Sequence, residues 1–387
     1  MGFMPRAAAA KTLAWLVFAV AAGCSLETGG VSSSSSSGTA GGSTAGASAT
    51  SGGNIGATTT GSSIPGGTVN VCPGQDAGVF VLASKQNTSD VATDGTWVYW
   101  IALGFGPGGS FLKVPICGGT PMRLGTFEDL TGGFAIDSTN IYWTNFASSP
   151  YGAIWEAPLD GGPSVILASG QATPNGIVVQ DSVLYWSNSG SSEGSDDGSI
   201  EMLPLDDASA DGGGIINLAV NQAYPSLLAV AGDRICWTTS STLSCRPIAG
   251  SGPEFAVSLA GQPLSLAVNQ NSVYWATAAG DVERISLDGG VTTSIATGVG
   301  QPGGIALDAE FVYWADLVGG NILMAPLDGG AVILVSDGGN TPDAVAVDPA
   351  GIFWTNFGTE VDSNDGSVIR FTFAPGPTSD GGVDAGP

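Results

Sequence analysis

Phe311–Gly330 reads FVYWADLVGGNILMAPLDGG. An apolar run ends in Tyr-Trp, a second apolar run follows, and Asp-Gly-Gly closes the phrase. Asn140–Gly162 says nearly the same thing: NIYWTNFASSPYGAIWEAPLDGG. Two such phrases far apart in one chain mark an internal repeat. With the Trp as ruler, the unit recurs at Trp100, Trp143, Trp186, Trp237, Trp275, Trp314 and Trp354. Seven units of about 40 residues leave little sequence between them.

Other columns keep step. Twelve residues before the Trp stands Pro174, Pro225, Pro263, Pro302 or Pro342, with Thr88 and Thr131 in the first two units. Eight before it stands Ala92, Ala135, Ala229, Ala267, Ala306 or Ala346, with Val178 as the exception. Six before it stands Asp94, Asp137, Asp308 or Asp348, with Gln180, Ala231 and Asn269 as variants.

Each unit divides into four short apolar or β-branched runs bounded by Gly, Pro, Asp and Asn. In the sixth they are GIALD, FVYWAD, NILMAPL and AVILV. Such runs read as strands. Four strands per unit of this length predict a blade of a β-propeller. The first strand lies nearest the axis, where blades crowd, so alanine suits it. Proline suits a strand's first position, where no ladder donor is lost. The Asp-Gly pairs at Asp160, Asp288 and Asp328 suit tight hairpins.

The seventh unit, AVAVD, GIFWTN and SVIRFTF, lacks a fourth strand. Ahead of the first unit, AGVFVLASKQNTSDVATD aligns with GAVILVSDGGNTPDAVAVD from the end of the sixth. Val79 to Ala83 is therefore expected to complete the last blade and leave no open edge at the join. The predicted fold is all-β: a seven-bladed propeller of four-stranded blades, closed by an N-terminal strand. The pieces YWTN, YWSN, YWAD and FWTN resemble the YWTD repeats of LDL-receptor class B propellers, and are similar to bacterial NHL-type repeats. The resemblance covers Val79 to Phe373 and implies a surface for binding. It departs in count, since YWTD propellers have six blades.

The N-terminus reads as an address. Arg6 and Lys11 precede the apolar stretch TLAWLVFAVAAG, as in a signal peptide. Twelve apolar residues are too few to span a bilayer. The stretch ends in AAGC, which resembles a bacterial lipobox. That resemblance implies lipid attachment at Cys24 and, because Ser25 is not Asp, an outer-membrane destination, periplasmic or surface-facing. The alternative is ordinary secretory cleavage and release. Residues 1–23 are then the signal peptide. Residues 24–70, rich in Ser, Gly and Thr, form a flexible tether of roughly 35–40 Å. The propeller occupies 71–373, and 374–387 is a second disordered segment.

Composition limits the chemistry. The net charge is −25, from 34 acidic and 9 basic side chains. Nucleic acid is thus an unsuitable partner. The chain contains no histidine, which excludes Ser-His-Asp triads and His-ligated metals. It departs there from the streptogramin-inactivating lyases, also seven-bladed propellers. The arginines are scattered over several blades, unlike the cluster of sialidases. Lys113, Glu156, Arg284 and Arg370 hold equivalent third-strand places, which predicts an exposed strand face.

Of five cysteines, removing Cys24 leaves four. Cys236 and Cys245 flank a hairpin whose two-residue turn sets them opposite, within bridging range. Cys72 and Cys117 pair by elimination. The alternative is free core thiols.

Function is expected on the face that carries the variable loops after each Trp. Candidate binding residues there are Asn145, Asn188, Asp196, Asp197, Asp316, Asn356 and Glu360. DSNDGS resembles the start of a calcium loop, with Asp362, Asn364 and Asp365 as ligands. A solvated acidic hairpin is the competing reading, and no other cofactor is expected. The expected role is a lipid-anchored, monomeric envelope scaffold for a protein, peptide or glycan. The alternative is a His-independent hydrolase or lyase using acids in the propeller mouth.

Overall fold

Alternation within each Tyr-Trp strand dictates how the repeats assemble. Successive side chains point to opposite faces, so the Trp meets one neighbouring unit and the Tyr the other. The computed structural model describes residues 77–373, apart from 104–107, 128–130, 147–151, 193–194, 208–213, 251–253, 338 and 359–364, together with 53–54, 72 and 75. The segment expected as a signal peptide, Cys24, Glu360, Asp362, Asn364 and residues 374–387 lie outside the described residues. Among those described, the only helical turn is Leu205–Asp207.

The strands form seven antiparallel sheets, each a blade with its first strand innermost. Blade six is Pro302–Leu307, Phe311–Asp316, Asn321–Pro326 and Ile333–Ser336. The innermost strands of blades one to five are Thr88–Thr93, Thr131–Ile136, Pro174–Gln180, Leu228–Ala231 and Pro263–Val268. Every innermost strand contacts the next around the ring, including that of blade seven with that of blade one. Proline opens four of them, as its missing donor allows.

Blade seven is completed as the alignment predicted. Its own strands are Pro342–Asp348, Gly351–Asn356 and Gly366–Thr372. The fourth is Gly78–Gln86, paired antiparallel with Gly78 opposite Thr372 and Gln86 opposite Gly366. A two-residue strand, Gly53–Asn54, within the segment expected as a tether, pairs with Ile136 and Ala135 on the inner edge of blade two.

Seven apolar cores sit one at each seam. Trp143 packs with Ala92 and Tyr99 of blade one. Trp186 packs with Ala135 and Tyr142, Trp237 with Val178 and Tyr185, Trp314 with Ala267 and Tyr274, and Trp354 with Ala306 and Tyr313. The alanine column is thus small because it receives the indole of the next blade. At two seams the Tyr is replaced. Phe353 and Ala346 meet Trp100, and Cys236 and Ala229 meet Trp275.

Both disulfides are present. Cys236 faces Cys245 directly in register, with Cα atoms 4.1 Å apart. Cys72 bonds Cys117 across 5.2 Å between Cα atoms. The Leu-Asp-Gly-Gly turns close by a backbone bond such as Gly329 N to Pro326 O, 2.9 Å, and place the first Gly at positive φ, +85° at Gly329.

One expectation is overturned. The third-strand charges do not form an exposed face. Lys113 and Arg370 are buried. Each stands opposite the Tyr-column residue of its blade, Tyr99 and Phe353, and so points into a seam. Lys113 Nζ donates to Leu159 O of blade two at 2.6 Å, and Arg284 Nη1 to Leu327 O of blade six at 2.9 Å. A long aliphatic stem lies against the core while the charged head bonds the next blade's backbone.

Candidate functional site

The loop-rich face is built at the end of the second strand, two residues past each Trp. Asn145, Asn188, Asp316 and Asn356 occupy that place in blades two, three, six and seven. They are distributed round the ring, one per blade, and do not converge. Asn188, Asp316 and Asn356 are buried. Asp316 Oδ1 accepts from Gly319 N at 2.9 Å and Gln301 N at 3.2 Å. Asn356 Nδ2 donates to Ser367 Oγ at 3.1 Å. Asn188 Nδ2 donates to Ser199 Oγ at 3.2 Å and to Gln171 Oε1 at 2.8 Å. Asn188, Asp316 and Asn356 brace the loop bases.

The acidic loops use the same device. In blade three, Asp197 accepts from Ser191 N at 3.1 and 3.2 Å and from Ser195 Oγ. Those donors stabilise the carboxylate and hold Asp197 down at about 2. Gly190, at φ +93°, makes room, since a Cβ there would lie 2.3 Å from Asp197 Oδ1. Blade seven repeats the geometry with Gly358 at φ +97° and Asp365, 2.2 Å from the same imaginary Cβ. Asp365 therefore turns toward its loop base, as Asp197 does. Asp196 is exposed beside it. Among the described residues, no group of three or more His, Cys, Asp or Glu side chains is arranged to hold a metal.

Two acids not singled out from the sequence lie nearer the axis. Asp90 is on the innermost strand of blade one and Asp343 on that of blade seven. Both stand near the strand start. That end pairs with the end of the second strand, as Pro342 with Asn356 and Thr88 with Ala102, so the pair belongs to the loop-rich face. Asp90 sits at a register shift with φ +48°. Burial raises Asp343 to about 6. Burial, then the Asp343 charge, raises Asp90 well above the usual carboxylate range. Both keep partial solvent exposure. A sequence signal existed: where blade one has Asp90, the other units have Gly133, Gly176, Leu227, Ser265, Gly304 and Ala344.

A second missed element links blades. Trp186 Nε1 donates to Gln171 Oε1, and Trp237 Nε1 to Gln222 Oε1, each at 2.9 Å. Each Gln ends the outermost strand of the preceding blade. It recurs fifteen residues before the Trp, which is the legible trace.

Comparison with known proteins agrees with this architecture. Residues 310–349 match the family model of the low-density lipoprotein receptor repeat class B. That segment runs from the second strand of blade six to the innermost strand of blade seven. No curated protein matches the chain. Among solved structures, the WD40 β-propeller domain of Doa1 is similar at 12% identity and a TM-score of 0.57, over 76% of this chain and 97% of that one. The computationally designed Ika8 protein is similar at 12% identity and a TM-score of 0.53, over 77% of this chain and 100% of that one. A chain of a nidogen/laminin complex matches at 20% identity over 51% of this chain and 75% of that one, with a TM-score of 0.40. At 12% identity the likeness to Doa1 and Ika8 is one of fold.

Proposed function

We propose that the chain is a binding scaffold of the cell envelope, held by lipid at Cys24 and presenting its loop-rich face to a protein, peptide or glycan. The observation that carries this reading is the bracing of the loop bases by Asp197, Asp316, Asn188 and Asn356. A rigid frame with differing tips suits recognition, because less ordering entropy is lost on binding. A repeat of the LDL-receptor class B type is consistent with that role. The test replaces residues 189–197 by the short Thr239–Thr242 turn of blade four and compares both proteins on glycan and peptide arrays. The reading expects a protein that still folds, with a lowered melting temperature because Asp197 and the buried Ser189 leave with the loop, and loss of the wild-type signals. Signals that survive this and the matching exchange in blade seven would refute it.

The Asp90 and Asp343 pair favours a second reading, a hydrolase with two carboxyl groups. One acid kept protonated beside one ionised is the arrangement that acid and base catalysis needs. Chromogenic glycosides and esters test it. Turnover lost in Asp343→Asn supports it, and no turnover by the wild type across the panel sinks it.

A further inference from the structure

The Cys72–Cys117 bridge spans the one seam where two ends of the chain meet. Cys72 lies shortly before the strand Gly78–Gln86 that completes blade seven. Cys117 lies in the turn between the third and fourth strands of blade one, Gly109–Pro115 and Met122–Phe127. The segment at Cys72 has a second hold. Arg370 is fully buried. Its Nε and Nη2 donate to Ala350 O at 3.2 and 2.8 Å, and its Nη1 to Gln75 Oε1 at 3.1 Å and Cys72 Sγ at 2.7 Å. Gln75 Nε2 in turn donates to Cys117 O at 3.2 Å. The buried guanidinium thus has its outer nitrogen served by the segment that the disulfide anchors. An ion left buried without partners is strongly unfavourable.

The two bridges differ in access. Cys236 and Cys245 are both fully buried within the seam between blades four and five. Cys117 is exposed. Thiol–disulfide exchange requires a thiolate to reach a sulfur, so exposure selects which bridge opens first.

We propose that Cys72–Cys117 is a redox latch on closure of the propeller. A thiolate of an external dithiol attacks Cys117 Sγ and expels the Cys72 thiolate. The second thiol of the reagent then closes on the mixed disulfide and expels the Cys117 thiolate. The reagent leaves as a disulfide, and its two protons end on Cys72 and Cys117. Opened, the lead segment keeps its contacts with Arg370 and with Cys117 O but loses its covalent hold, and Gly78–Gln86 separates from Gly366–Thr372 more readily. The edge so released is an unpaired ladder. Exchange with an oxidised dithiol protein reverses the step, so closure becomes firm only in an oxidising compartment.

The test uses the full chain with Cys24→Ser, so that thiol labelling reports the bridges alone. The folded protein is treated with low dithiothreitol, labelled with maleimide, and followed by hydrogen exchange and peptide mass analysis. Cys72 and Cys117 are expected to label while Cys236 and Cys245 do not. Amide exchange in 78–86 and 366–372 is expected to quicken about tenfold or more, with blades three to five unchanged. Cys72→Ala with Cys117→Ala should show the fast exchange without reductant and no further response to it. Labelling of Cys236 and Cys245 first, or exchange in 78–86 that ignores the opened bridge, overturns the proposal. If the double variant does not fold, the titration of the folded chain decides alone.

Discussion

Tyr313 donates its hydroxyl to Asp308 Oδ2 at 2.8 Å. The same bond joins Tyr142 to Asp137 and Tyr99 to Asp94 at 2.7 Å. The other oxygen of Asp308 accepts from Glu310 N and Phe311 N at 2.8 and 2.7 Å. One carboxylate therefore forms the turn between the first two strands and also anchors the phenol. The ring of that phenol packs against the next blade. Burial and the adjoining carboxylate push the three phenols well above their ordinary value.

Tyr313→Phe removes one bond of this unit and leaves the carboxylate its backbone donors. The expected loss is about 1–2 kcal/mol. Asp308→Ala removes the same bond and both turn bonds, and strands a buried hydroxyl, for about 3 kcal/mol. Urea unfolding of the two variants checks the order. A loss for Asp308→Ala no greater than that for Tyr313→Phe would contradict this assignment.

Asp343 has its carboxyl raised to about 6 by burial, from an ordinary 3.8. The native state therefore holds this proton more tightly than the unfolded chain. The contribution is fully present below 3.8 and is lost as pH rises through about 6. Neutral Asn avoids that loss. With partial exposure taken into account, Asp343→Asn should be more stable than wild type by about 1–2 kcal/mol at pH 7.5. The gap should close toward pH 4. A pH-independent difference between the two melting curves would show that the carboxyl does not titrate as described.

Ala267 is fully buried and shares a core with Trp314 of the next blade. Ala267→Leu forces that indole outward. An overpacked site of this kind costs about 1–3 kcal/mol. Guanidinium unfolding should show the midpoint falling with an unchanged slope. A neutral result would mean that alanine is not needed to admit the indole.

Cys24→Ser should abolish radiolabelled fatty-acid incorporation and move the protein from the membrane to the soluble fraction. Unchanged membrane retention would leave the lipobox resemblance without a role.

The columns that were legible in the sequence are those set by local geometry. Alternation within a strand, proline at a strand start and Asp-Gly at a hairpin act over a few residues, so they print the repeat directly. The hairpin disulfide of Cys236 and Cys245 was legible for the same reason. The burial of Lys113 and Arg370 was not. Their place on the third strand was readable, but whether that face met solvent or a neighbouring blade depends on how tightly the seams close.

The amino-acid sequence by itself determined the number of blades, the order of strands within each and the exchange of the N-terminal strand into the last blade. All of these follow from short-range periodicity repeated seven times. Only the tertiary structure decided which side chains meet across the ring. Asp90 and Asp343 become neighbours because blade seven returns to blade one, and Arg370 finds Cys72 and Gln75 for the same reason. Such contacts have no local signature, because closure of the ring, rather than any propensity of the residues, brings them together.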